Sequence, residues 1–574
     1  MFLRAAICLL FLLLLGPVAR AQAPAWQTAV GLGPDNSSGV PSANSYTVQA
    51  STADANGNVF LTGSFAGTVN FGGTSLTSSN GEAYVAKYSP ATGTFLWALR
   101  AGTGSTATVT TSAIAVSGTS VYVTGYFTGT TVIFGSSSLT SGGGDAYVAK
   151  LIDAGSSGSF GWVQRAVGTG TNGGNSNGLE LAVTGSSIYL LGLINGSSAF
   201  GGTTLTAVPG NTSNNGAVTF LAKLTDSGTS GAFRYAGLLN GAPKKVAVNG
   251  TSVYVAGVFD GPTVSFGGTT LTNANAQDRD IFITRLIDAG NTASFTGAQR
   301  AGGTGRDRVF GLAASATGVV VTGDFGGPAT FGSITLSGAG NFGNYEAKWN
   351  PTSNAFDWAQ QSDYFVSGIG VNGTSLYMAG SFRTGTFGST VLTSTGGGTA
   401  SDVFVAKFTD VGTSLGFTWV QLAGGTDDDI ANSVSLSGTR VVVQGRFYSP
   451  SATFGNITLP RTRSGVSGVS DGFVASLTDP NLTATAPALD VEALGVFPNP
   501  AHTNALVQLP VVPGATTATL TLLDALGRAV RTQLVPLKAV GTTAEVPLTG
   551  LAPGLYHLRV QAGGQQASRV LIVE

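Results

Sequence analysis

Two histidines, His502 and His557, and one cysteine, Cys8, are the whole stock of imidazole and thiol in this chain. Both histidines lie near the C-terminus and Cys8 lies in an N-terminal apolar run, so residues 24–480 contain neither group. That excludes Ser-His and Cys-His nucleophile pairs and His-rich zinc sites from this region. Carboxylates remain, and in pairs they support glycoside hydrolysis or lysis. Glu82, Asp145, Asp280, Asp402 and Asp471 occupy one recurrent slot, five residues before Lys87, Lys150, Arg285, Lys407 and Ser476. An odd spacing in a strand puts the two side chains on opposite faces. A slot that recurs in this way reads as turn-capping or inter-strand structure. Asp307 and Asp429 match one another, each five residues beyond the first Gly of a Gly-Gly pair, and read as structural too. Asp427-Asp428-Asp429 offers oxygen ligands to Ca²⁺, but one strip of three acids rarely supplies six ligands and a solvated loop is the plainer reading. Asp54-Ala55-Asn56-Gly57-Asn58 starts like an EF-hand loop, yet Val59 stands where that loop needs Gly. No metal and no cofactor is expected.

Equivalent slots whose residues differ are more informative. Between a Gly and a Phe that recur stand Ser64, Tyr126, Leu193, Val258, Asp324, Ser381 and Arg446. A fold that repeats does not dictate a side chain that changes. Tyr126, Asp324 and Arg446, with the loop residues Arg306 and Asp428, are therefore the candidate ligand-binding residues; the alternative is ordinary exposed or inter-blade positions, which vary freely.

These slots belong to seven copies of one strand-and-turn pattern. Its Phe-Gly step recurs at Phe71, Phe134, Phe200, Phe266, Phe331, Phe387 and Phe454, a period of about 65 residues that signals a propeller or array. Strands rich in aromatic and β-branched residues, such as Val121–Gly125, alternate with Gly and Asn turns, and no long 3.6-residue period appears. A Trp-bearing fourth strand occurs at Trp97, Trp162, Trp358 and Trp419 but is missing after Gly472–Leu477. Trp26–Gly31 has the matching form and precedes the first repeat. The expected fold is an all-β, seven-bladed β-propeller whose N-terminal strand, led by Trp26, closes the last blade and protects its sheet edge. The repeats resemble the bacterial seven-bladed β-propeller repeat family, through Gly57-Asn58-Val59-Phe60-Leu61-Thr62-Gly63 and Asp145-Ala146-Tyr147-Val148-Ala149-Lys150. That resemblance specifies fold over about residues 24–480 and says nearly nothing about activity.

Residues 1–21 read as a secretory signal peptide: Arg4, an apolar run, Gly16-Pro17 and an Ala19-x-Ala21 site. With Cys8 removed, the mature chain has no disulfide. A linker is expected at 481–490, then a small β-sandwich over 491–574. This last stretch resembles the type A C-terminal sorting domain of the type IX secretion system of Bacteroidetes-type bacteria. The matching elements are Phe497-Pro498-Asn499-Pro500-Ala501, Asp524-Ala525-Leu526-Gly527-Arg528, Leu551-Ala552-Pro553-Gly554-Leu555-Tyr556 and the final strand. The resemblance implies export through the periplasm and contact with the type IX machinery, followed by release or attachment to surface polysaccharide. Pro498, Asn499, Pro500, Gly527, Arg528, Gly554 and Tyr556 would carry the sorting motif.

A formal net charge of −1 and no run of Lys or Arg exclude the electrostatic footprint of a nucleic-acid binder. No mature segment is long and apolar enough for a membrane helix. The expected function is an exported or surface-attached binding or adhesion module with polysaccharide or another surface macromolecule as the ligand class. The alternatives are a carbohydrate-active hydrolase or lyase using acids on one propeller face, and a passive scaffold.

Overall fold

A computed structural model describes residues 23–33, 45–104, 108–129, 131–141, 143–169, 175–207, 217–315, 317–338, 342–462, 470–482, 494–509, 512, 515–524, 528–538, 541–562 and 565–574. The expected signal peptide, most of the expected linker and Gly527 lie outside the described residues. The chain is all-β, with no helix among the described residues.

Seven four-stranded antiparallel meanders span 45–101, 108–165, 175–239, 242–303, 308–362, 365–423, and 429–478 together with 26–32. The second is representative: Thr108–Ser117, Ser120–Thr128, Gly144–Asp153 and Gly158–Arg165 in that order across the sheet. In the seventh, the outer strand is Trp26–Leu32, antiparallel to Asp471–Thr478 with Val30 opposite Val474. Trp26 donates its indole N–H to the Leu422 carbonyl (2.9 Å) and sets its ring edge-on to Phe454 at 5.4 Å. The first strand of every sheet touches the first strand of the next, and that of the seventh, Asp429–Ser437, touches that of the first, Ser45–Ala53.

The Phe-Gly step builds a short ribbon between the second and third strands. In all seven repeats its Phe packs on the aromatic ring of the third strand, with centroids 5.0 Å apart for Phe71 on Tyr84, 4.6 Å for Phe200 on Phe220 and 5.2 Å for Phe387 on Phe404. The Gly that follows takes φ between +57° and +64° in every copy, a conformation that residues bearing a Cβ adopt at a cost. A second Gly recurs on the second strand where a bulge brings the first strand close: a Cβ on Gly125 would stand 2.0 Å from the Thr110 carbonyl oxygen. These two glycines explain the spacing of the repeat better than any polar residue does.

The sheets are joined at both ends. At the end carrying the turns between first and second strands, a buried lysine of one sheet meets a buried aspartate of the next. Lys87 binds Asp153 (2.5 Å), Lys150 binds Asp226 (2.5 Å), Lys223 binds Asp288, Lys348 binds Asp410 (2.6 Å) and Lys407 binds Asp479 (2.8 Å). The aspartate also takes an aromatic donor, Trp97 for Asp153, Tyr122 and Trp162 for Asp226, Trp358 for Asp410. Burial alone would raise the Asp226, Asp410 and Asp479 carboxyls; the lysine, aromatic and backbone donors outweigh it and hold all three below the ordinary carboxylate range. Two joints lack the clamp, and they lack both partners together. Arg285 of the fourth sheet faces a fifth sheet with Pro351 in the aspartate slot, and Ser476 of the seventh faces a first sheet with Pro90 there. Joint loss leaves no buried charge unpaired, the arrangement that would be most destabilising.

At the opposite end the ribbon of one sheet laces to the outer strand of the preceding one. The backbone does this at Thr103 with Ile133, Val167–Thr169 with Ser197–Phe200, Ala301–Gly303 with Ala329–Phe331, and Gly424 with Thr453. Side chains replace it twice: Asn240 donates to the Ser265 carbonyl (2.7 Å), and the Asp363 carboxylate accepts from the Thr386 N–H and hydroxyl (both 2.7 Å).

The C-terminal module has two antiparallel sheets, one of three strands (Gly495–Phe497, Asn504–Leu509, Thr542–Pro547) and one of four (Ala529–Pro536, Thr517–Leu523, Gly554–Ala562, Gln565–Val573). Their inward faces share one apolar core that includes Val507, Leu520, Leu522, Leu558, Val560 and Leu571. The Phe497–Pro498 and Asn499–Pro500 bonds are cis. Asn499 grips the last strand from both sides of its amide, donating to the Val570 carbonyl and accepting from the Ile572 N–H (both 2.8 Å). Arg528 pairs with Asp524, and the Tyr556 hydroxyl donates to the Ala552 carbonyl (2.8 Å).

Candidate binding surface

The three residues that the varying slot singles out, Tyr126, Asp324 and Arg446, and the loop residues Arg306 and Asp428 all fall at the ribbon end, in or beside three different sheets. Tyr126 is half-buried in the second strand of the second sheet. Arg446 is exposed in the equivalent strand of the seventh, its guanidinium 5.7 Å from the Tyr448 ring centroid. Exposed Asp428 lies beside it: its carboxylate accepts from the Ser401 N–H (2.8 Å) and its carbonyl from the Tyr448 N–H (3.0 Å). Arg306 is exposed just before the fifth sheet. Asp324 is different. It is buried and holds Arg308 across the strand pair through both carboxylate oxygens, so the group presented to solvent there is the half-exposed Arg308.

The repeated acids are bound within the sheets. Glu82, Asp145 and Asp280 pair with Arg100 (2.5 Å), Arg165 (2.6 Å) and Arg300 on the neighbouring fourth strand. Asp402 accepts from the Thr395 N–H and hydroxyl (2.7 and 2.8 Å), and Asp471 from the Thr462 N–H (2.5 Å). Asp307 and Asp429 are fully buried caps at the start of first strands. Burial raises Asp307 to about 8 against the N–H groups of Gly303 and Gly326, and Asp429 to about 6 against Ser449. Among the described residues no three His, Cys, Asp or Glu side chains form a metal-binding group, and no helix is long and apolar enough to cross a membrane.

Sequence reasoning missed one place. Where the fifth sheet meets the sixth, a cavity of about 520 Å³ opens beneath the point at which Asp363 replaces the backbone lace. Its polar wall is the end of an outer strand, Gln360, Gln361 and Ser362, with Asp363; its apolar wall includes Tyr364 and Phe417. Behind the polar wall lies Glu346, fully buried, accepting from Gln360 Nε2 (3.3 Å) and hydrogen-bonded to Ser362 Oγ (2.8 Å). Burial, helped by the nearby Asp363 charge, raises Glu346 to about 7 against these hydrogen bonds. A signal was there to read. The other repeats fill this slot, two residues before the clamp lysine or its equivalent, with Val85, Val148, Leu221, Ile283, Val405 and Val474.

Residues 495–574 match the secretion system C-terminal sorting domain. The C-terminal module is a type IX sorting domain. The sorting domain marks the chain for export, to a secreted or surface-attached state. No curated protein matches the chain. Among solved structures it is similar to Trypanosoma rangeli sialidase in complex with sialic acid, at 12% identity and a TM-score of 0.30, over 97% of this chain and 88% of that one. It is also similar to the plexin A4 extracellular region, at 8% identity and a TM-score of 0.28, over 96% and 84%. Likeness of this degree carries no functional weight.

Proposed function

We propose that this chain is an exported recognition protein: a closed seven-bladed β-propeller over residues 24–480, joined through a linker at 481–490 to the sorting domain, which the type IX machinery reads after the signal peptide has brought the chain to the periplasm. The observation that carries the reading is the combination of a matched sorting domain with seven meanders whose first strands touch in cyclic order. A rigid ring of this kind offers residues on loops and strand ends as a preformed surface. Tyr126, Arg446, Arg306, Asp428 and the Arg308–Asp324 pair would be the ring's variable contacts, and surface polysaccharide the ligand class. Binding is favoured over hydrolysis because the recurrent acids of the ring are held by arginines, lysines and backbone donors, and the cavity wall carries one carboxylate, Asp363, where glycoside hydrolysis uses two.

The test has two arms. In a bacterium with a functioning type IX system, a chain ending at residue 494 should stay in the periplasm and the full chain should appear outside. A glycan array probed with the exported chain, with reducing-sugar release followed on every glycan retained, should give binding without turnover. Export of the truncated chain contradicts the sorting role, and turnover contradicts the recognition role.

A further inference from the structure

Glu346 is a buried acid in a column where the other six repeats place a branched aliphatic residue, and among the described residues no lysine, arginine or histidine pairs with it. Taking a carboxyl out of water without a counter-charge is costly, so the fold does not ask for it there. Ser362 is a second departure on the same wall: its equivalents, opposite the residue four before the clamp lysine, include Ala101, Ala166, Leu239, Ala301 and Ala423. The two departures are coupled by their hydrogen bond. Ser362 also donates to the Tyr364 carbonyl (3.1 Å). Its single hydrogen serves one partner, so a protonated Glu346 donating to Ser362 Oγ satisfies both contacts at once. The result is a fixed polar wall, Gln360 held from behind by Glu346 and Gln361 held by the Gly338 N–H at 3.2 Å on its Oε1.

The groups this wall presents are an amide donor, Gln361 Nε2, with no acceptor among the described residues, and an acceptor, the Asp363 carboxylate; the hydroxyl hydrogens of Ser362 and Thr386 are already given to the Tyr364 carbonyl and to Asp363. Phe417 and the buried ring of Tyr364 also line the cavity and give it an apolar face. A donor and an acceptor beside aromatic rings match a sugar ring, which carries hydroxyls on its edge and C–H groups on its face. The cavity lies within the roughly 300–1,000 Å³ range of small-ligand sites. A carboxylate on the wall and no cation among the lining residues exclude an anionic sugar.

We infer that the cavity between the fifth and sixth sheets is a binding subsite for a neutral saccharide unit, with Gln361 and Asp363 contacting hydroxyls, Phe417 stacking on the ring, and Glu346 positioning Gln360 and Ser362. The inference rests on reading the ring as a recognition module and gives that reading a site.

The test uses the full mature chain and neutral gluco-, manno-, galacto- and xylo-oligosaccharides, with sialylated and uronic-acid oligosaccharides beside them, measured by titration calorimetry. At least one neutral series should bind. Gln361→Ala, at an exposed position, should weaken it at least tenfold in a protein whose melting temperature shows it folded, and Phe417→Ala likewise. Glu346→Gln, which keeps hydrogen bonds to the wall, should retain binding, while Glu346→Val should lose it in a folded protein. Thr270→Ala, on the ribbon of the fourth sheet, should change nothing. Neutral binding untouched by Gln361→Ala and Phe417→Ala overturns the subsite and leaves the recognition reading standing. Binding of anionic glycans alone overturns the ligand class, and no binding to any glycan overturns the subsite together with the recognition reading.

Discussion

The two ends of the seven-sheet body are built by opposite rules. At the turn end, lysine and aspartate recur from joint to joint and disappear as a pair where the pattern lapses, at Arg285 with Pro351 and at Ser476 with Pro90. At the ribbon end the same slot holds Ser64, Tyr126, Leu193, Val258, Asp324, Ser381 and Arg446, and the lace itself changes from backbone to side chain. Both ends are joined to their neighbours, but the joint fixes the side chain of the clamp and leaves that of the varying slot open. The contrast teaches that in a repeating fold a charged residue is informative about function chiefly where its repeats disagree.

The contrast breaks most visibly at the clamp. Asp226→Ala leaves Lys150 buried without its partner and should cost about 3–5 kcal/mol in denaturant unfolding. The double variant Lys150→Met with Asp226→Leu should lose less than the single one, since no charge is then stranded. A double variant as damaged as the single would show that packing, not charge, governs that end.

A smaller effect separates the ends by pH. Asp226, Asp410 and Asp479 have lowered folded-state values, so the stability they contribute is present above about 3.8 and is lost as the pH falls through those lower values. Glu346, Asp307 and Asp429 are raised, to about 7, 8 and 6. Their contribution is complete below the ordinary carboxylate range and is lost as the pH rises through those values, because the folded state holds the proton longer than the unfolded one. Glu346→Gln should therefore flatten the decline between about pH 4.5 and 7, by roughly 1–3 kcal/mol. An unchanged stability profile would place Glu346 in a more solvated setting than its burial implies. The smallest effect belongs to the unconstrained slot. Arg446→Ala should alter unfolding by less than about 0.5 kcal/mol, and a larger loss would return that residue to the structural class.

Much of this was legible in residue order. The Phe-Gly period announces the ribbon because Gly takes the positive φ that follows each Phe without the steric cost a Cβ brings. The unmatched Trp26–Gly31 points to the free edge of Asp471–Thr478, where the strand stands. The clamp was not legible from the recurring lysine alone, since its aspartate lies one repeat later, 66 residues beyond Lys87 at Asp153. Asp324 looked free because its partner, Arg308, sits across the strand pair on a residue the repeat does not mark. Glu346 was visible as the one acid in an aliphatic column, but a cavity behind it is a property of packing between sheets, which no linear spacing encodes.

Hydrogen exchange of the mature chain tests the closed ring most directly, because it perturbs nothing. Amides of Trp26–Leu32 that hydrogen-bond to Asp471–Thr478 should be protected to the degree seen in the other outer strands, Thr94–Ala101 and Gly158–Arg165. Exchange of Trp26–Leu32 at the rate of a free terminus, while those two strands stay protected, would contradict closure and with it the rigid surface on which the recognition role depends.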